Sequence, residues 1–315
     1  MSKGSGSVLI LLATRDGERF LDDQLESIAA QSFTSWRLLV SDDGSTDRTL
    51  DIIRAFAAAH PGRVEVLDGD PVYSARDNFF HLLKAAPDAD YYALCDQDDV
   101  WHVDKLRHLV AECRQQEGAA ERPRPCLVYS DLEIVNATLD QLDSSFMRQI
   151  RVRPEQVTFG SLLVENLAPG CAMLFNRSLL DEFRRGDGAF ADAAMHDWWL
   201  ALLAESTGAL VYLNTPLVQY RQHSHNALGS VRRTGVRFVL RKAFTRNRAA
   251  AELTMRQAQA FAEATGARLK PECANVLAAY CTLALRGKSA RVRTCIRFGI
   301  LKQTFPRRLY QLLTV

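Results

Sequence analysis

The sequence lacks an apolar run long enough to cross a membrane. The longest uncharged stretch near the C-terminus, residues 273–285, contains Asn275 and Thr282 and is shorter than the roughly 18 apolar residues that a spanning helix needs. The N-terminal apolar run, residues 8–13, is too short for the core of a signal peptide and is typical of a buried strand. We therefore expect neither a transmembrane helix nor an export signal.

The cysteine patterns of disulfide frameworks and zinc sites are also missing. The seven cysteines are odd in number, widely scattered and without a Cys-x-x-Cys pair. Reduced thiols are the simplest account, and they favour a cytoplasmic protein. Internal repeats and low-complexity tracts are absent too, and the composition is that of an ordinary globular chain.

Acidic residues are scarce in the last part of the chain. Residues 229–315 contain 18 Lys and Arg but only three Asp and Glu, whereas the preceding residues contain 21 and 34. This asymmetry indicates two parts with different tasks. We predict a first domain over residues 1–229 and a basic helical region over residues 230–315.

The first 130 residues alternate short apolar runs with helical periodicity, which is typical of βαβ units. The expected fold is α/β, with a mostly parallel sheet flanked by helices and with right-handed crossovers. In such sheets ligands bind beyond the carboxyl ends of the strands, so the polar residues that follow them should meet at one edge. Strands are predicted at residues 8–13, 36–41, 63–67, 91–95 and 126–129.

Three carboxylates follow the fourth predicted strand, because residues 96–101 read Asp-Gln-Asp-Asp-Val-Trp. Carboxylates at the end of a buried strand repel one another and resist desolvation, so a cation should lie between them. Mg2+ and Mn2+ take oxygen ligands, and Mg2+ commonly binds one or two carboxylates together with substrate phosphates. The motif predicts a metal–diphosphate site, and the alternative is an acidic surface turn.

A second acidic cluster ends the second predicted strand, where residues 41–47 read Ser-Asp-Asp-Gly-Ser-Thr-Asp. Ser45, Thr46 and Asp47 are suited to capping the next helix. Capping does not require the two acids before them. Either Asp42 or Asp43 could accept a hydrogen bond from the N3–H group of a uracil or thymine ring.

Taken in order, residues 13–18 (Ala-Thr-Arg-Asp-Gly-Glu), 41–47 and 96–101 resemble the GT-A domain of family 2 glycosyltransferases. The resemblance extends over about residues 8–229, and the Asp-Gln-Asp-Asp-x-Trp form is most similar to the bacterial rhamnosyltransferase branch. It implies a GT-A fold and an inverting transfer from a nucleotide-diphosphate sugar, with Mg2+ or Mn2+ as cofactor. It favours dTDP-L-rhamnose as donor and a glycan, in particular a lipid-linked glycan of bacterial cell-surface polysaccharide synthesis, as acceptor.

The resemblance also assigns residues to the donor. Asp98 would bind the metal, Asp96 would act through water or the donor sugar, and Asp99 could instead cap the following turn. Arg76 would contact the donor, with a surface loop as the alternative, and Asn78 either joins it or caps the helix that follows. The nucleoside would be held by Thr14, Asp16 and Asp43, or by Asp42 in place of Asp43.

Residues 196–200 read His-Asp-Trp-Trp-Leu and open an apolar helix. Asp197 could cap this helix, but the resemblance implies that it is the general base. Tryptophans that exclude water from a cleft can move the pKa of a neighbouring carboxylate toward the pH at which the enzyme works. One of Trp198 and Trp199 could offer a flat face to a sugar, or both could be core. Residues 166–173 resemble the acceptor-side loop of the family, in which Asn166 is a weaker candidate.

A final motif spans residues 220–229, which read Tyr-Arg-Gln-His-Ser-His-Asn-Ala-Leu-Gly. By the resemblance, His223 would be a metal or phosphate ligand and Arg221 a phosphate partner. Because His225 precedes Asn226 here, the choice between the two histidines stays open.

The basic region shows no recognised nucleic-acid motif. An apolar stripe of Val292, Cys295, Ile296 and Ile300 beside basic residues predicts a helix on anionic lipid, at the inner face of the cell membrane. The alternative is a helical extension packed on the first domain or on a second subunit.

Rival functions differ in what they require. The segment after the first strand has a single glycine, Gly17, which disfavours the triphosphate loop of a nucleotidyltransferase. A nucleotide-sugar hydrolase and a non-catalytic nucleotide-sugar-binding protein remain as alternatives.

Overall fold

The computed structural model of the protein describes residues 6–118, 123–186, 189–223 and 236–315. The strands within these ranges are β1 (Val8–Thr14), β2 (Trp36–Asp42), β3 (Val64–Val66), β4 (Tyr91–Cys95), β5 (Val100–Trp101), β6 (Cys126–Val135), β7 (Gln141–Asp143), β8 (Met173–Asn176) and β9 (Ala209–Arg221). The helices are α1 (Leu21–Ala29), α2 (Thr49–Ala59), α3 (Ala75–Ala85), α4 (Lys105–Glu117), α5 (Phe146–Gln149), α6 (Phe159–Leu162), α7 (Arg177–Arg185), α8 (His196–Thr207), α9 (Val236–Thr265), α10 (Pro271–Cys281), α11 (Lys288–Arg297) and α12 (Phe305–Thr314).

The strands form one mixed sheet in the order β3-β2-β1-β4-β8-β6-β9-β5, and β7 pairs with β6. The first four strands are parallel to one another, as βαβ periodicity predicts. Beyond β4, strand β8 runs antiparallel between β4 and β6, while β6 and β9 are parallel. The predicted α/β fold is confirmed. The parallel strands β1–β4 lie in the N-terminal part of the chain, from which the parallel sheet was predicted.

The parallel half of the sheet is buried on both faces because helices cover it. Every residue from Val8 to Leu12 is at most 2% exposed, as expected for a strand without polar alternation. On α3, which covers β1 and β2, Phe79, Leu82 and Leu83 are buried in the core. Each such side chain contributes about 1.5–3 kcal/mol on burial, so these contacts hold the loops beyond the strands in register.

The basic C-terminal helices pack directly on the α/β unit. Phe261 of α9 makes an edge contact with Trp199 of α8, with ring centroids 5.1 Å apart. Gln257 Oε1 accepts a hydrogen bond from the Ala194 backbone N–H at 2.8 Å, just before α8 begins. The extension therefore supports the segment that leads to Asp197.

The apolar stripe predicted for lipid contact on α11 is wrong in its composition. Cys295 and Ile300 are fully buried, and Val292 is half-buried, because this face packs inward. Of the four predicted residues Ile296 is the exposed one, at 57%. Within the described ranges, no helix has the length and hydropathy needed to cross a membrane. The domain boundary predicted after residue 229 lies outside the described residues.

Candidate functional site

Asp42 links the ends of the two central strands. Its carboxylate accepts hydrogen bonds from Thr14 Oγ1 at 2.8 Å, from Ser45 N at 2.8 Å and from Ser45 Oγ at 2.6 Å. Thr14 is buried and its hydroxyl is committed to this contact. Both residues therefore shape the edge of the sheet, and of the two neighbouring acids Asp42 is the one anchored within its own loop.

Asp16 connects the same two loops from the other side. It is exposed, has a left-handed backbone with φ of 46°, and accepts a hydrogen bond at Oδ1 from Thr46 N at 2.8 Å. Its own N–H donates to Ser45 Oγ at 2.9 Å. The side chains of Ser45 and Thr46 donate to Asp42 and Asp16, so neither of them caps α2. Of the three predicted capping residues, only Asp47 accepts a hydrogen bond from the first turn of the helix, at Thr49 N.

Asp43 organises a third loop. Its carboxylate accepts three backbone hydrogen bonds at 2.6–2.8 Å, and the side chain is 3% exposed. The donors are Val72, Tyr73 and Ser74. A small pocket next to this carboxylate is lined by Ser41, Asp42, Leu67, Gly69, Asp70, Val72, Asn78 and His81.

Asn78 connects α3 to the end of β2 and is not a helix cap. It lies within α3, and its Nδ2 donates to Ser41 O at 2.9 Å. Ser74 caps the helix instead, by accepting a hydrogen bond from Asp77 N. The capping alternative for Asn78 is therefore wrong.

Gln97 connects the acidic motif to the first loop, and this role was not predicted from the sequence. Its side-chain amide accepts from Arg15 N and donates to Arg15 O, each at 2.8 Å. A Cβ on Gly17 would approach Gln97 Oε1 to 2.4 Å, so glycine is required for this contact. The residue between the two candidate ligand acids thus fixes the position of their motif.

The acids of the motif occupy different environments. Desolvation and the charges of Asp98 and Asp197 raise the pKa of Asp96 to about 7. Asp99 is 1% exposed, its pKa is raised well above the usual range by burial, and its Oδ1 accepts from Arg221 N at 3.1 Å. Asp99 therefore anchors β9 and does not cap a turn.

Asp98 and His223 contact each other directly. The Asp98 Oδ2 to His223 Nε2 distance is 2.8 Å, and both side chains are mostly covered, at 23% and 11% exposed. The imidazole stacks on Phe20 with ring centroids 4.9 Å apart. The two predicted metal residues are thus neighbours, while His225 lies outside the described residues.

Lys105 supplies a buried positive charge beneath the motif. The side chain is fully buried, its Nζ donates to Cys171 O at 2.6 Å, and it lies 3.4 Å from the centroid of the Trp101 ring. Burial lowers its pKa to about 8, and the nearby acids Asp96 and Asp99 oppose that shift. This residue was missed, although a lysine within the apolar stripe of α4 was a usable signal.

Asp197 lies in the first turn of α8, next to the turn at residues 170–172. Its Oδ2 accepts from Gly170 N at 3.1 Å and its Oδ1 from Trp198 N at 2.7 Å. The N-cap position is Met195, so the capping alternative for Asp197 is wrong. A Cβ on Gly170 would lie 3.3 Å from the Cβ of Asp197, which makes this approach tight.

The neighbours of Asp197 form the wall of the site. His196 is buried and stacks on Phe79 at 4.0 Å between centroids, and desolvation lowers its pKa to about 4. Trp199 is 1% exposed and belongs to the core, whereas Trp198 is 9% exposed and donates from Nε1 to Leu162 O. Both indoles therefore serve packing here.

Arg221, Arg76 and Asn166 are engaged by the protein. Arg221 is 2% exposed, and its guanidinium donates to Asp98 O, Ala137 O and Asp23 Oδ2 at 2.7–2.9 Å. Arg76 Nη1 donates to Ala193 O at 2.9 Å, and Asn166 Oδ1 accepts from Ala168 N. Their donor and acceptor roles stay predictions, and as placed they hold the loops around the site.

The donor set at the acidic motif fits a hard divalent cation. Ligand atoms of Asp96, Asp99 and Cys171 lie within 4.8 Å of one another. Burial beside the acids raises the pKa of the Cys171 thiol well above its usual value, and sulfur is a softer ligand than Mg2+ prefers. Asp98 and His223 lie outside this group, so their role as metal ligands stays a prediction, although carboxylate oxygens and an imidazole nitrogen are ligand types suited to Mg2+ or Mn2+.

Comparisons with known proteins identify the family of the chain. The family model for glycosyl transferase family 2 matches residues 7–182. Among curated proteins, dTDP-rhamnosyl transferase RfbG of Shigella flexneri is 27% identical over 70% of this chain and 74% of its own length. The Escherichia coli enzyme UDP-Glc:alpha-D-GlcNAc-diphosphoundecaprenol beta-1,3-glucosyltransferase WfgD is 24% identical over 68% of this chain and 76% of its own length.

A solved structure shows the same fold. S. aureus TarS 1-349 in complex with UDP-GlcNAc superposes with a TM-score of 0.59 at 15% identity, covering 93% of this chain and 80% of that one. At this identity the match speaks for the fold alone.

Proposed function

The chain belongs to glycosyl transferase family 2, and from that premise we propose that it is an inverting, metal-dependent glycosyltransferase. The proposed reaction moves L-rhamnose from dTDP-L-rhamnose to a lipid-linked glycan during synthesis of a bacterial cell-surface polysaccharide. The relative named as a dTDP-rhamnosyl transferase supports the donor. The relative named as acting on a diphosphoundecaprenol-linked sugar supports the class of acceptor.

One relationship carries the proposal. Gly170 N–H donates to Asp197, and the ligand atom of the next residue, Cys171, lies within 4.8 Å of that of Asp96, so the candidate base and the candidate metal motif are close together. Gly170 N–H and Trp198 N–H both bond the Asp197 carboxylate, which fixes its direction. A base fixed beside a diphosphate site is the arrangement that a single displacement needs.

In this reaction the acceptor hydroxyl attacks the anomeric carbon of the donor. The new carbon–oxygen bond forms on the face opposite the breaking bond to the diphosphate oxygen, which takes the bonding electron pair. Asp197 takes the proton of the attacking hydroxyl, and the configuration at the anomeric carbon inverts. The 8% exposure of Asp197 leaves little bulk water to compete with the acceptor.

The proposed cofactor is Mg2+ or Mn2+, held by Asp98 and His223 with Asp96 beside them. When bound, such a cation supplies charge neutralisation to the diphosphate leaving group. Gln97 keeps the motif against the first loop, and Lys105 balances its negative charge from below. The protein thereby holds several acids close together without relying on the cation alone.

The nucleoside is proposed to bind at the edge formed by the first three loops. Asp43 keeps acceptor capacity, since each carboxylate oxygen accepts about two hydrogen bonds and its Oδ2 takes one from Ser74 N. Thymine and uracil both present an N3–H donor to such a group. The base of the donor is therefore decided by contacts other than this one.

The proposed location is cytoplasmic, with peripheral contact at the inner face of the cell membrane through the basic C-terminal helices. The 18 cations against three acids from residue 229 onward support this contact. A homo-oligomer that covers the same helices is the competing arrangement, and it would show as a larger species in light scattering at low protein concentration.

A thermal-shift panel tests the donor and the metal together. We expect dTDP-L-rhamnose with Mn2+ to raise the melting temperature more than UDP-glucose with Mn2+, because only a bound ligand stabilises the folded state. The Asp98→Asn variant should lose the Mn2+-dependent part of the shift, whereas Asp88→Asn, at a 76% exposed carboxylate on the surface, should keep it. A shift by UDP-glucose alone would overturn the assigned donor.

Turnover separates the enzyme from its rivals. Release of dTDP that depends on a lipid-linked glycan acceptor supports transfer. Release of free rhamnose at the same rate without acceptor would identify a hydrolase instead. Metal-dependent donor binding without any release would identify a non-catalytic binding protein.

A further inference from the structure

A large cavity lies among the C-terminal helices, away from the acidic motif. Its volume is about 700 Å3, which is within the range of small-molecule sites. The walls are mostly apolar and come from α9, α10, α12 and the chain just after α6. Representative lining residues are Val164, Ala251, Met255, Tyr280, Leu283 and Tyr310.

Cations dominate the charged part of this lining. Arg291, Lys302 and Arg307 all line the cavity, against a single acid, Glu252. Burial lowers the pKa of Lys302, and Arg307 pairs with Glu165 at 2.5 Å. After Glu272 the chain has eight Lys and Arg and no further acid. An apolar chamber with this surplus of positive charge suits an apolar chain that carries an anionic head.

The helix that closes the cavity also has an exposed apolar face. Phe305, Leu309 and Leu313 are 74%, 49% and 62% exposed and recur every four residues along α12. Pro306, Tyr310 and Thr314 line the cavity from the same helix. Successive residues of an α-helix are about 100° apart, so the exposed stripe is one step around the helix from the cavity wall.

We propose that this cavity binds the lipid carrier of the acceptor, an isoprenoid chain with a phosphate or diphosphate head, and that the exposed stripe of α12 rests on the membrane beside it. The apolar walls would take the chain, and Arg291 and Lys302 would take the head. The inference rests on the proposed function, because it takes the lipid to be the acceptor's carrier.

A short stretch of chain links the cavity to the neighbourhood of Asp197. Val164 lines the cavity, and two residues earlier Leu162 O accepts the hydrogen bond of the Trp198 indole, next to Asp197. Glu165, which pairs with Arg307, is the neighbour of Asn166 on the candidate acceptor loop. A lipid head held by these cations would therefore place its sugar on the acceptor side of the cleft.

Binding of farnesyl diphosphate, a short soluble isoprenoid diphosphate, tests the inference on the full chain by calorimetry. Ala251→Trp fills the cavity with an indole ring and should weaken binding about tenfold or more, because the isoprenoid chain loses the space in which it would bury its apolar surface. Ala249→Trp is the matched control, since this residue is on the same exposed part of α9 and does not line the cavity. Inorganic diphosphate should bind far more weakly, and equally to both variants.

A second pair of variants tests the head group. Arg291→Gln should weaken farnesyl diphosphate binding, whereas Arg293→Gln, an equal charge loss at an exposed position of α11 outside the lining, should not. Equal affinities for Ala251→Trp and the wild type would overturn the proposal. So would competition between farnesyl diphosphate and dTDP-L-rhamnose, which would identify the donor site as the place of binding.

Two further measurements separate sources and failures. In the first, phosphatidylglycerol vesicles could bind the wild type but not Ala251→Trp, while farnesyl diphosphate binds neither. This result would assign the cavity to membrane phospholipid and overturn the proposal that it binds the lipid carrier. Donor-induced thermal shifts are recorded on every variant. Loss of lipid binding with an intact donor shift supports the cavity site, and a wild type with a donor shift but no lipid binding defeats this inference while leaving the proposed function standing.

Discussion

Lys105 donates a hydrogen bond from its buried ammonium group to the backbone carbonyl of Cys171 at 2.6 Å. Cys171 follows Gly170, whose N–H holds Asp197. Lys105 also lies under Asp96 and Asp99, whose charges act on its pKa. One lysine therefore connects the candidate metal motif to the loop that orients the candidate base.

Replacing Lys105 by Met should destabilise the protein by about 3 kcal/mol, because acids are left buried without their partner. Mn2+ should restore more stability to Lys105→Met than to the wild type, since a cation can take over the lost charge. Urea unfolding with and without Mn2+ measures both effects. The control is Lys84→Met, at an exposed lysine of α3; equal Mn2+ effects in all three proteins would contradict the role.

Asp197→Asn should lower turnover roughly 10^2 to 10^4-fold, as expected for loss of a general base. The amide has the same shape and can still accept from Gly170 N, so donor-induced thermal shifts should persist. Asp192→Asn, at an exposed acid of the preceding turn, should leave turnover unchanged. Turnover of Asp197→Asn near that of the wild type would remove Asp197 from the mechanism.

Asp43→Ala should weaken dTDP binding about tenfold or more. Three backbone N–H groups lose their acceptor, and each buried unpaired donor costs about 1–3 kcal/mol, so the loop at residues 72–74 should leave its position. Calorimetric titration with dTDP measures the effect. Asp51→Ala, at a 71% exposed acid of α2 that does not line the pocket, is the control, and equal affinity in both variants would rule out this organisation of the nucleoside edge.

His223→Ala should raise the Mn2+ concentration needed for half-maximal activity about 10–100-fold, as expected when a ligand or its immediate partner is lost. His225→Ala is the comparison, because the motif leaves the choice between these histidines open. A metal titration in which only His225→Ala is impaired would transfer the assignment to His225.

The buried His196 should make stability depend on pH. Its pKa is about 4 in the folded protein and 6.5 when unfolded, so between these values only the unfolded chain takes up the proton. The free energy of unfolding should therefore fall as pH drops from 6.5 toward 4, by up to about 3 kcal/mol.

The matched variant for this pH effect is His196→Phe, which keeps a ring against Phe79 and cannot titrate. Urea unfolding at pH 7 and pH 5 should show a smaller loss of stability in the variant than in the wild type. Identical losses in the two proteins would mean that His196 does not contribute.

Sequence patterns predicted the elements whose signals are local. The strands β1, β2 and β4 occur where apolar runs end in polar motifs, and the three loops after them meet as the topology of parallel strands requires. The antiparallel insertion of β8 was not predicted, because pairing partners far apart in the chain leave no local trace. Its neighbours are set by packing.

The same distinction applies to the site. Asp98 and His223 were each predicted as candidate metal ligands, because both belong to motifs with recognisable composition, and their side chains are 2.8 Å apart. The use of Arg221 as a buried tie was not predicted, since its partners Asp23 and Ala137 come from distant segments. The face of α11 was misassigned because a stripe with the right period does not say whether solvent or protein covers it.

The native cysteines can report local unfolding of the protein. All of them are free, and every one except Cys281 is buried. Cys95 belongs to the central sheet, whereas Cys295 belongs to the C-terminal helices. Thiol alkylation followed by peptide mass spectrometry would therefore time the opening of each part separately, without any introduced label.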